Sequence, residues 1–498
     1  MHDPTCNQIH SAIEVISQNQ LGDLDLSSPP AVYAPQWYDD IFIFQGNPRS
    51  MDWDVDDQSE YLYAIIDNYA GTSGPDSAYI FRSTNKGVTW TQWYLLTNMD
   101  GQLENAKIRV ARDGAGNTWI CAAAIWAETS GDRILWLRRI DATQTTFLWE
   151  ELSGIDVDIF DMDADVGDGA WLYITYVPDG TDDIYAARND ISGGGWTSVV
   201  SLYSNAQTNP EPVIAAGDNG VVSVGFIDGR LQANEELRVK RSTNYGANWL
   251  GSEQVGDNTG LYDLSDIDIA HARNNSAWFF ASYYVVSADN IGVYVSNDAG
   301  VNWSYEGLVS GSGDNFFTSA RASKTSGSVT VAYYEANNDS VMFTWSSSSN
   351  PTAFTSAVNI SDFRATGTVP PVAGWIHRFG AGYSAIMYAT WGPDSVMFDW
   401  FSNSVGIEEQ PVINVEKTTL MQVTTRENNF TVSYSVINPG NVRISVYDMT
   451  GRQITQLVNQ YQNTGFYNVN YTPETPGVYY ISLISADGQQ TVKSTILQ

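Results

Sequence analysis

Three eight-residue segments decide the fold: Ser83-Thr-Asn-Lys-Gly-Val-Thr-Trp90, Ser242-Thr-Asn-Tyr-Gly-Ala-Asn-Trp249 and Ser296-Asn-Asp-Ala-Gly-Val-Asn-Trp303. Each reads Ser-x-Asn/Asp-x-Gly-x-x-Trp. In such a turn the Asn or Asp side chain accepts backbone N–H bonds, Gly permits a positive φ, and Trp covers the sheet core. The pattern predicts one structural turn at three places, built by Ser83, Asn85, Gly87 and Trp90, by Ser242, Asn244, Gly246 and Trp249, and by Ser296, Asp298, Gly300 and Trp303.

Weaker copies of this turn extend the repeat along the chain. Their closing aromatics are separated by 59, 47, 53, 54 and 51 residues, a period typical of β-propeller blades. These aromatics are Trp90, Trp149, Trp196, Trp249, Trp303 and Phe354. An apolar second strand recurs seven times, at 61–67, 119–126, 170–177, 221–228, 277–285, 328–335 and 383–390. The sequence therefore predicts an all-β fold with a seven-bladed β-propeller at residues 38–402, after an N-terminal extension at 1–37.

The seventh repeat lacks a fourth strand, because the chain enters a polar linker (403–411) after a third strand that ends near Phe401. An open ring would leave sheet edges unpaired. Residues 40–45, just before the first blade, are the expected donor of the missing strand. Residues 11–17 are the alternative.

The three segments resemble the Asp-box, or BNR, repeats of the sialidase-like propellers. Asn85 and Asn244 stand where that family usually has Asp, and Asp298 keeps it. In that family the turns lie away from the catalytic face, so the resemblance implies a structural role for them. It also implies one alternative function, an exo-glycoside hydrolase of sialidase type.

A sialidase-type site would need three arginines for a substrate carboxylate and a Tyr nucleophile activated by Glu. The candidates for these roles are Arg109, Arg230, Arg321, Tyr334 and Glu335. The Arg-Ile-Pro signature of the family is absent, so we lean away from catalysis. The four histidines form no metal-spaced pair, and no nucleophile elbow or phosphate loop indicates another enzyme class.

Acidic residues recur on the predicted first strands, whose alternation points every second side chain into the central channel. They include Asp54, Asp161, Asp163, Asp165 and Asp268. Oxygen ligands of this kind suit Ca²⁺, so a calcium site is one hypothesis. The alternative is that these acids pair with Lys107, Arg109 and Arg321.

Aromatic residues are expected near the ends of the second strands, namely Trp126, Tyr176, Tyr283, Tyr284 and Trp391. Rings beside carboxylates suit sugars, because apolar sugar faces stack on rings and hydroxyls bond to acids. The alternative is that these rings pack between blades. The preferred function is the binding of glycan or protein ligands, or the building of surface structure; a self-assembling surface-layer or filament subunit is a further alternative.

Residues 412–498 have the short alternating strands of an Ig-like β-sandwich, at 430–436, 442–447 and 477–483. The run Val442-Arg-Ile-Ser-Val-Tyr-Asp-Met-Thr-Gly-Arg452, followed by Gly465, Pro476-Gly-Val-Tyr-Tyr-Ile481 and Lys493, resembles the C-terminal sorting domain of type IX secretion cargo. The resemblance implies recognition by the secretion machinery and an extracellular or cell-surface location. A generic Ig-like spacer is the alternative.

Composition restricts the partners further. The net charge of −33 disfavours nucleic acid, and no apolar stretch approaches the ~20 residues that span a bilayer. The first residues lack the basic and apolar regions of a signal peptide, so we expect the numbering to begin at a mature N-terminus. Cys121 lies in an apolar run and is expected to be a buried free thiol, with a bridge to Cys6 as the alternative.

Overall fold

The protein is all-β: in the computed structural model, every regular element of the described residues is a strand. The described ranges are 40–56, 58–69, 76–96, 102–113, 115–127, 133–140, 148–151, 157–164, 171–191, 195–204, 206, 210–229, 235–255, 262–272, 275–285, 288–311, 313–323, 327–347, 350–376, 383–391, 394–402, 421–426, 429–436, 439–448, 452–463, 465–473, 475, 477–486 and 488–496.

The described strands between residues 41 and 402 form seven open antiparallel sheets, and most of these strands pair with the next strand along the chain. The chain begins with β1 (Ile41–Gln45). Sheets 1 to 3 contain β2 (Pro48–Val55), β3 (Leu62–Asn68), β4 (Ser77–Ser83) and β5 (Thr91–Leu96); β6 (Gln102–Arg112), β7 (Thr118–Ala127), β8 (Arg133–Ile140) and β9 (Leu148–Glu151); and β10 (Val157–Ala164), β11 (Trp171–Pro178), β12 (Ile184–Asp190) and β13 (Trp196–Tyr203). Sheets 4 and 5 contain β14 (Val213–Ala216), β15 (Val222–Asp228), β16 (Glu236–Ser242) and β17 (Glu253–Gln254), and β18 (Tyr262–His271), β19 (Ala277–Val285), β20 (Ala288–Ser296) and β21 (Ser304–Leu308). Sheets 6 and 7 contain β22 (Asn315–Ala322), β23 (Val329–Glu335), β24 (Ser340–Ser347), β25 (Asn350–Phe354) and β26 (Val358–Asn359), and β27 (Val372–Trp375), β28 (Tyr383–Thr390) and β29 (Ser395–Ser402).

Sheet 7 takes its fourth strand from the start of the described chain. Its order is β1-β29-β28-β27, with Ile41 opposite Phe398. The Tyr388 hydroxyl and the Asp362 backbone N–H (2.9 Å) both donate to Oδ2 of Asp40, just before β1. The expected donor, residues 40–45, is therefore confirmed. The alternative at 11–17 lies outside the described residues.

The apolar core lies between neighbouring sheets. In β3, Leu62, Ala64 and Ile66 pack into the cluster shared with sheet 7, whereas Tyr63 and Ile65 pack into the cluster shared with sheet 2. Because both faces of the second strands are covered, these strands read as the continuous apolar runs noted in the sequence. The first strand of each sheet contacts that of the next sheet, and β27 contacts β2.

The three predicted turns have one hydrogen-bond pattern. Ser242 Oγ accepts the Gly246 N–H (3.0 Å) and donates to Asn244 Oδ1 (3.0 Å), which accepts the Asn248 N–H (2.9 Å). Tyr245 and Gly246 both have positive φ, at 58° and 70°. The sequence anticipated the second left-handed residue and missed the first.

Each turn also packs on the preceding sheet, which the sequence did not indicate. Trp90 meets Phe398 of sheet 7, with ring centres 5.2 Å apart. A Cβ on Gly87 would lie 2.3 Å from the Phe398 ring, so close approach requires glycine there as well as a positive φ. Cys121 is buried, as expected, and Cys6 lies outside the described residues, so the alternative of a bridge between them stays a prediction.

Residues 421–496 form two further antiparallel sheets around a separate apolar cluster. The strands are β30 (Met421–Arg426), β31 (Asn429–Val436), β32 (Gly440–Asp448), β33 (Gln453–Gln462), β34 (Gly465–Tyr471), β35 (Gly477–Ser485) and β36 (Gly488–Ile496). Their orders are β30-β31-β34 and β33-β32-β35-β36. Tyr461 is 64% exposed on this domain.

We expect Tyr388→Phe to weaken the closure of sheet 7. The substitution removes one of the donors to the Asp40 carboxylate and should lower the free energy of unfolding by about 1–3 kcal/mol, measured by urea unfolding. Tyr461→Phe, on an exposed tyrosine, is the matched control and should leave it unchanged. Equal stability of the two variants would contradict a role for this contact in closure.

Candidate functional site

A cavity lies where the seven first strands meet. Each of these strands contributes at least one residue to its lining, namely Asp54, Arg109, Asp163, Ala215, His271, Arg321 and Trp375. This is the arrangement that a central channel requires. Four of these seven side chains carry a formal charge at neutral pH, so the chemistry of the cavity depends on how those charges are compensated.

The carboxylates of sheet 3 divide their two oxygens between the two neighbouring sheets. Asp161 accepts the Ile214 N–H of sheet 4 (2.9 Å) through Oδ2 and pairs with Lys107 Nζ of sheet 2 (3.2 Å) through Oδ1. Asp163 likewise accepts the Ala216 N–H (2.8 Å) and lies 3.3 Å from Arg109 Nε. Burial acts to raise the pKa of Asp161, but the positive charges of Lys107 and Arg109 outweigh it, and the pKa is lowered overall.

The two described arginines of the cavity converge on one carboxylate. Arg109 is buried and binds Asp52 Oδ2, while Arg321 Nη2 lies 3.8 Å from Asp52 Oδ1. Asp268 accepts the Ala320 N–H of sheet 6 (2.6 Å), and burial raises its pKa to about 6. These acids therefore connect sheets.

The predicted calcium site is not assembled in the described part of the chain. No group of three His, Cys, Asp or Glu side chains there could hold a metal ion. Asp161, Asp163 and Asp268 bond to neighbouring sheets as above, and Asp54 accepts the Val110 N–H (2.7 Å). Asp165 lies outside the described residues. The alternative of pairing with Lys107, Arg109 and Arg321 describes this cavity.

The catalytic candidates do not come together. Arg321 lies opposite Thr330, which is four residues from Tyr334 along β23, about 13 Å away at ~3.3 Å per residue. Burial and the hydrogen bond to Asp339 raise the pKa of Tyr334 to about 12, the opposite of an activated nucleophile. Glu335 accepts the Asn337 N–H (3.0 Å) in the adjacent turn, and Arg230 lies outside the described residues.

Most of the predicted ligand-binding aromatics pack inside the protein. Tyr176 is buried and stacks on Tyr185, with ring centres 5.6 Å apart. The hydroxyl of buried Tyr283 lies 2.7 Å from that of Tyr305. Trp126 is partly buried against the core between sheets 1 and 2. The side chain of Tyr284 lies outside the described part.

Trp391 is different, because 61% of its surface is exposed. It follows β28 at what we call the loop edge, the edge at which second strands end (Asn68, Asp228, Glu335 and Thr390). The guanidinium carbon of Arg364 lies 4.6 Å from its ring centre. Arg364 is ion-paired with Asp339, which also accepts the Tyr334 hydroxyl. We call Trp391, Arg364 and Asp339 the third arginine cluster.

Two similar groups lie elsewhere along the loop edge. In the first arginine cluster, Arg49 lies 4.1 Å from the Tyr69 ring centre and 2.8 Å from Glu104 Oε1, with Asp76 Oδ2 at 3.9 Å.

In the second arginine cluster, Arg238 lies 5.7 Å from the Tyr203 ring centre, 2.8 Å from Asp228 Oδ2 and 2.5 Å from Glu236 Oε2. Each cluster thus joins an arginine, a ring and at least one carboxylate.

Arginines at the opposite edge have another role. Arg188 donates to the Tyr245 carbonyl (2.8 Å) and Arg241 to the Ala299 carbonyl (3.2 Å), each holding the turn of the following sheet. The loop-edge clusters were missed from the sequence. The sequence contains only 24 Lys and Arg in 498 residues, so an arginine close to a second or third strand is a rare feature. That rarity was the one sequence signal that could have pointed to these clusters.

Asp67 is fully buried beside the first arginine cluster. It lies opposite Ser50 in the β2–β3 pair, and neither carboxylate oxygen makes a hydrogen bond of normal geometry. Burial, reinforced by the negative charge of Asp76, raises its pKa to about 8, and Arg49 offsets this only in part. Asp67 therefore holds a proton at neutral pH.

This proton gives a testable dependence of stability on pH. Between pH 4 and 8 the folded chain holds a proton that the unfolded chain has lost, so stability falls as pH rises through this range. Asp67→Asn removes the titration. We expect its free energy of unfolding to match the natural chain near pH 4 and to exceed it by ~5 kcal/mol at pH 8, because the pKa of Asp67 differs by about four units between the folded and the unfolded chain.

Urea unfolding at a series of pH values measures the difference. Asp158→Asn, which changes an exposed carboxylate, is the control variant measured over the same pH values. A constant offset for Asp67→Asn would show that Asp67 is ionised in the folded chain at neutral pH.

Comparison with known proteins identifies one part of the chain. Residues 426–498 match the family described as secretion system C-terminal sorting domain. No curated protein matches. Among the described residues, no helix is long and apolar enough to cross a membrane.

Several solved structures resemble the chain at low sequence identity. An α-L-arabinofuranosidase from Fusarium graminearum has 12% identity and a TM-score of 0.43, covering 73% of this chain and 97% of that one. An α-L-arabinanase from Penicillium chrysogenum has 11% identity and a TM-score of 0.43, covering 74% and 99%. An ulvan lyase has 10% identity and a TM-score of 0.47, covering 73% and 95%. The sorting-domain match at 426–498, predicted from Val442 to Lys493, identifies the chain as a secreted or cell-surface bacterial protein that the secretion machinery recognises.

Proposed function

We propose that this secreted protein binds carbohydrate, with its ligand on the loop edge over Trp391. The observation that carries the proposal is the third arginine cluster. An indole that is 61% exposed lies at the surface, beside an arginine that Asp339 holds in place. A sugar stacks its apolar face on such a ring, while guanidinium and carboxylate groups bond to its hydroxyls.

The fixed geometry of the cluster supports this role. The backbone N–H of Trp391 donates to the backbone carbonyl of Arg364 (2.8 Å), so the main chain also joins the two residues. A binding group that is already ordered loses less conformational entropy when the ligand arrives. The charged groups of the central cavity are, in contrast, engaged between sheets.

The fold proposed for this role is a seven-bladed β-propeller at 38–402, with each sheet as one blade. Its three regular turns would be Asp-box repeats, and 403–411 would link it to an Ig-like sandwich at 412–498. Two observations support ring closure: β27 of the last sheet contacts β2 of the first, and β1 from the start of the chain pairs with β29 of the last sheet. A β-propeller of this kind presents all its second-to-third loops on one face.

Replacing Trp391 tests the binding role. Native gels that contain soluble arabinan, xylan, mannan or glucan should retard the protein. Trp391→Ala should weaken binding to the retarding polysaccharide at least about tenfold by calorimetry, because the stacking surface is lost. Tyr461→Ala, which removes an equally exposed ring from the C-terminal domain, should bind like the natural chain.

Three results would contradict the proposal. Retention by no polysaccharide and no glycan on an array would exclude carbohydrate binding. Turnover of a fluorogenic sialoside that Tyr334→Phe abolishes would favour the hydrolase. Ordered polymers seen by electron microscopy, without glycan binding, would favour a surface-layer or filament subunit.

Truncation tests the sorting domain in the bacterium that carries the gene. A chain that ends at Ser402 lacks the matched segment and should remain inside the cell envelope, whereas the full chain reaches the surface or the medium. Immunoblots of cell fractions measure this. The control adds residues 403–498 to a periplasmic reporter, which should then be exported. Export of the truncated chain would show that another segment carries the signal.

A further inference from the structure

We propose that the three arginine clusters are subsites for one extended, neutral polysaccharide. This inference rests on the carbohydrate-binding function proposed above and adds the class of ligand. The clusters share a plan: an arginine beside an aromatic ring, ion-paired with a carboxylate, at the loop edge.

The topology places the clusters on one side of the protein. In an antiparallel meander, all turns between second and third strands lie at the same edge of their sheets. Tyr69 follows β3, Asp228 ends β15 and Trp391 follows β28. The clusters therefore lie near sheets 1 and 2, sheets 3 and 4, and sheets 6 and 7. A chain molecule laid across this edge can contact more than one of them, whereas a monosaccharide occupies one.

The clusters also differ from the structural arginines of the molecule. Arg188 and Arg241 are bound by backbone carbonyls of the next sheet, where they hold turns. Arg49, Arg238 and Arg364 instead pair with side-chain carboxylates and remain partly accessible. Groups at the surface whose donors and acceptors are already oriented are suited to bind ligand hydroxyls.

Charge selects a neutral ligand. The second cluster carries one arginine and two carboxylates, and the third carries one of each. In the first, Arg49 faces Asp76 and Glu104, while Asp67 is protonated at neutral pH.

The rest of the part of the chain that carries the clusters is also negatively charged. Residues 421–498 contain four acidic and four basic side chains, so the whole net charge of −33 belongs to residues 1–420. Uronic-acid or sulfated polymers would be repelled, whereas uncharged hydroxyls can bond to both members of each ion pair.

Chain length is the direct test. Oligosaccharides of two, four, six and eight residues are cut from the neutral polysaccharide that retards the protein, and their affinities are measured by calorimetry. Affinity should rise by about tenfold or more for each additional cluster reached, because the second contact is intramolecular. Tyr69→Ala and Arg238→Gln should each reduce the gain in affinity with length, because each removes one cluster that a longer chain could reach.

The controls are Tyr461→Ala and Arg452→Ala, both on exposed side chains of the C-terminal domain, and neither should alter the gain. Arg238→Lys, with a thermal unfolding midpoint for every variant, provides a milder change should Arg238→Gln fail to fold. Affinity that does not rise with length, while Trp391→Ala still abolishes binding, would overturn this inference and leave the proposed function intact. Stronger retardation by polygalacturonate or dextran sulfate than by any neutral polymer would overturn the ligand class, and binding to no saccharide would remove both proposals.

Discussion

The arrangement of the seven sheets depends on hydrogen bonds between neighbouring first strands. A first strand is the edge of its sheet, and its outward N–H groups need partners once water is excluded. Side chains of the adjacent sheet take part in bonds at every junction. The pairs are Asp52 with Ile108 and Asp54 with Val110, Asn105 with Phe160, Asp161 with Ile214 and Asp163 with Ala216, Glu211 with Asp266, Asp268 with Ala320, Ser319 with Ala373, and Trp53 with Val372. Acids serve four of the seven junctions, so the acidic character of these strands has a structural cause.

This use of carboxylates brings negative charges close together around the cavity. Three basic side chains compensate them. Sheet 2 supplies Lys107 and Arg109, and sheet 6 supplies Arg321. Arg109 joins acids of two sheets, Asp52 of sheet 1 and Asp163 of sheet 3. Removing it would leave buried negative charges facing each other, a large cost in a medium of low polarizability. The charged groups of the cavity thus bond largely to neighbouring sheets, whereas Trp391 and Arg364 are exposed at the loop edge.

The local features of the fold could be predicted from the sequence, and the contacts between sheets could not. The seven apolar strands, the three turns and the strand at 40–45 follow from alternation and turn chemistry within short segments. Asp161 was recognised as facing inward, but its partner Ile214 is 53 residues away and is an apolar residue that contributes only its N–H. The arginine clusters join distant segments in the same way. Arg364 and Trp391, for example, belong to different loops, and no pattern links them before the chain folds.

The regular turns show how such a local signal survives a change of residue. Asp298 accepts from the Asn302 amide (2.6 Å) as well as from backbone N–H groups, and although burial opposes it, these bonds lower its pKa to about 2. In the turn that carries Asn85, the amide instead donates to the Thr89 hydroxyl (2.9 Å). Four positions on, Asn302 donates to Asp298 and Thr89 accepts from Asn85, while Asn248 holds the same position after Asn244. Both versions keep the backbone bond that shapes the turn, which is why the motif predicts one structure although Asn replaces Asp in two of the three copies.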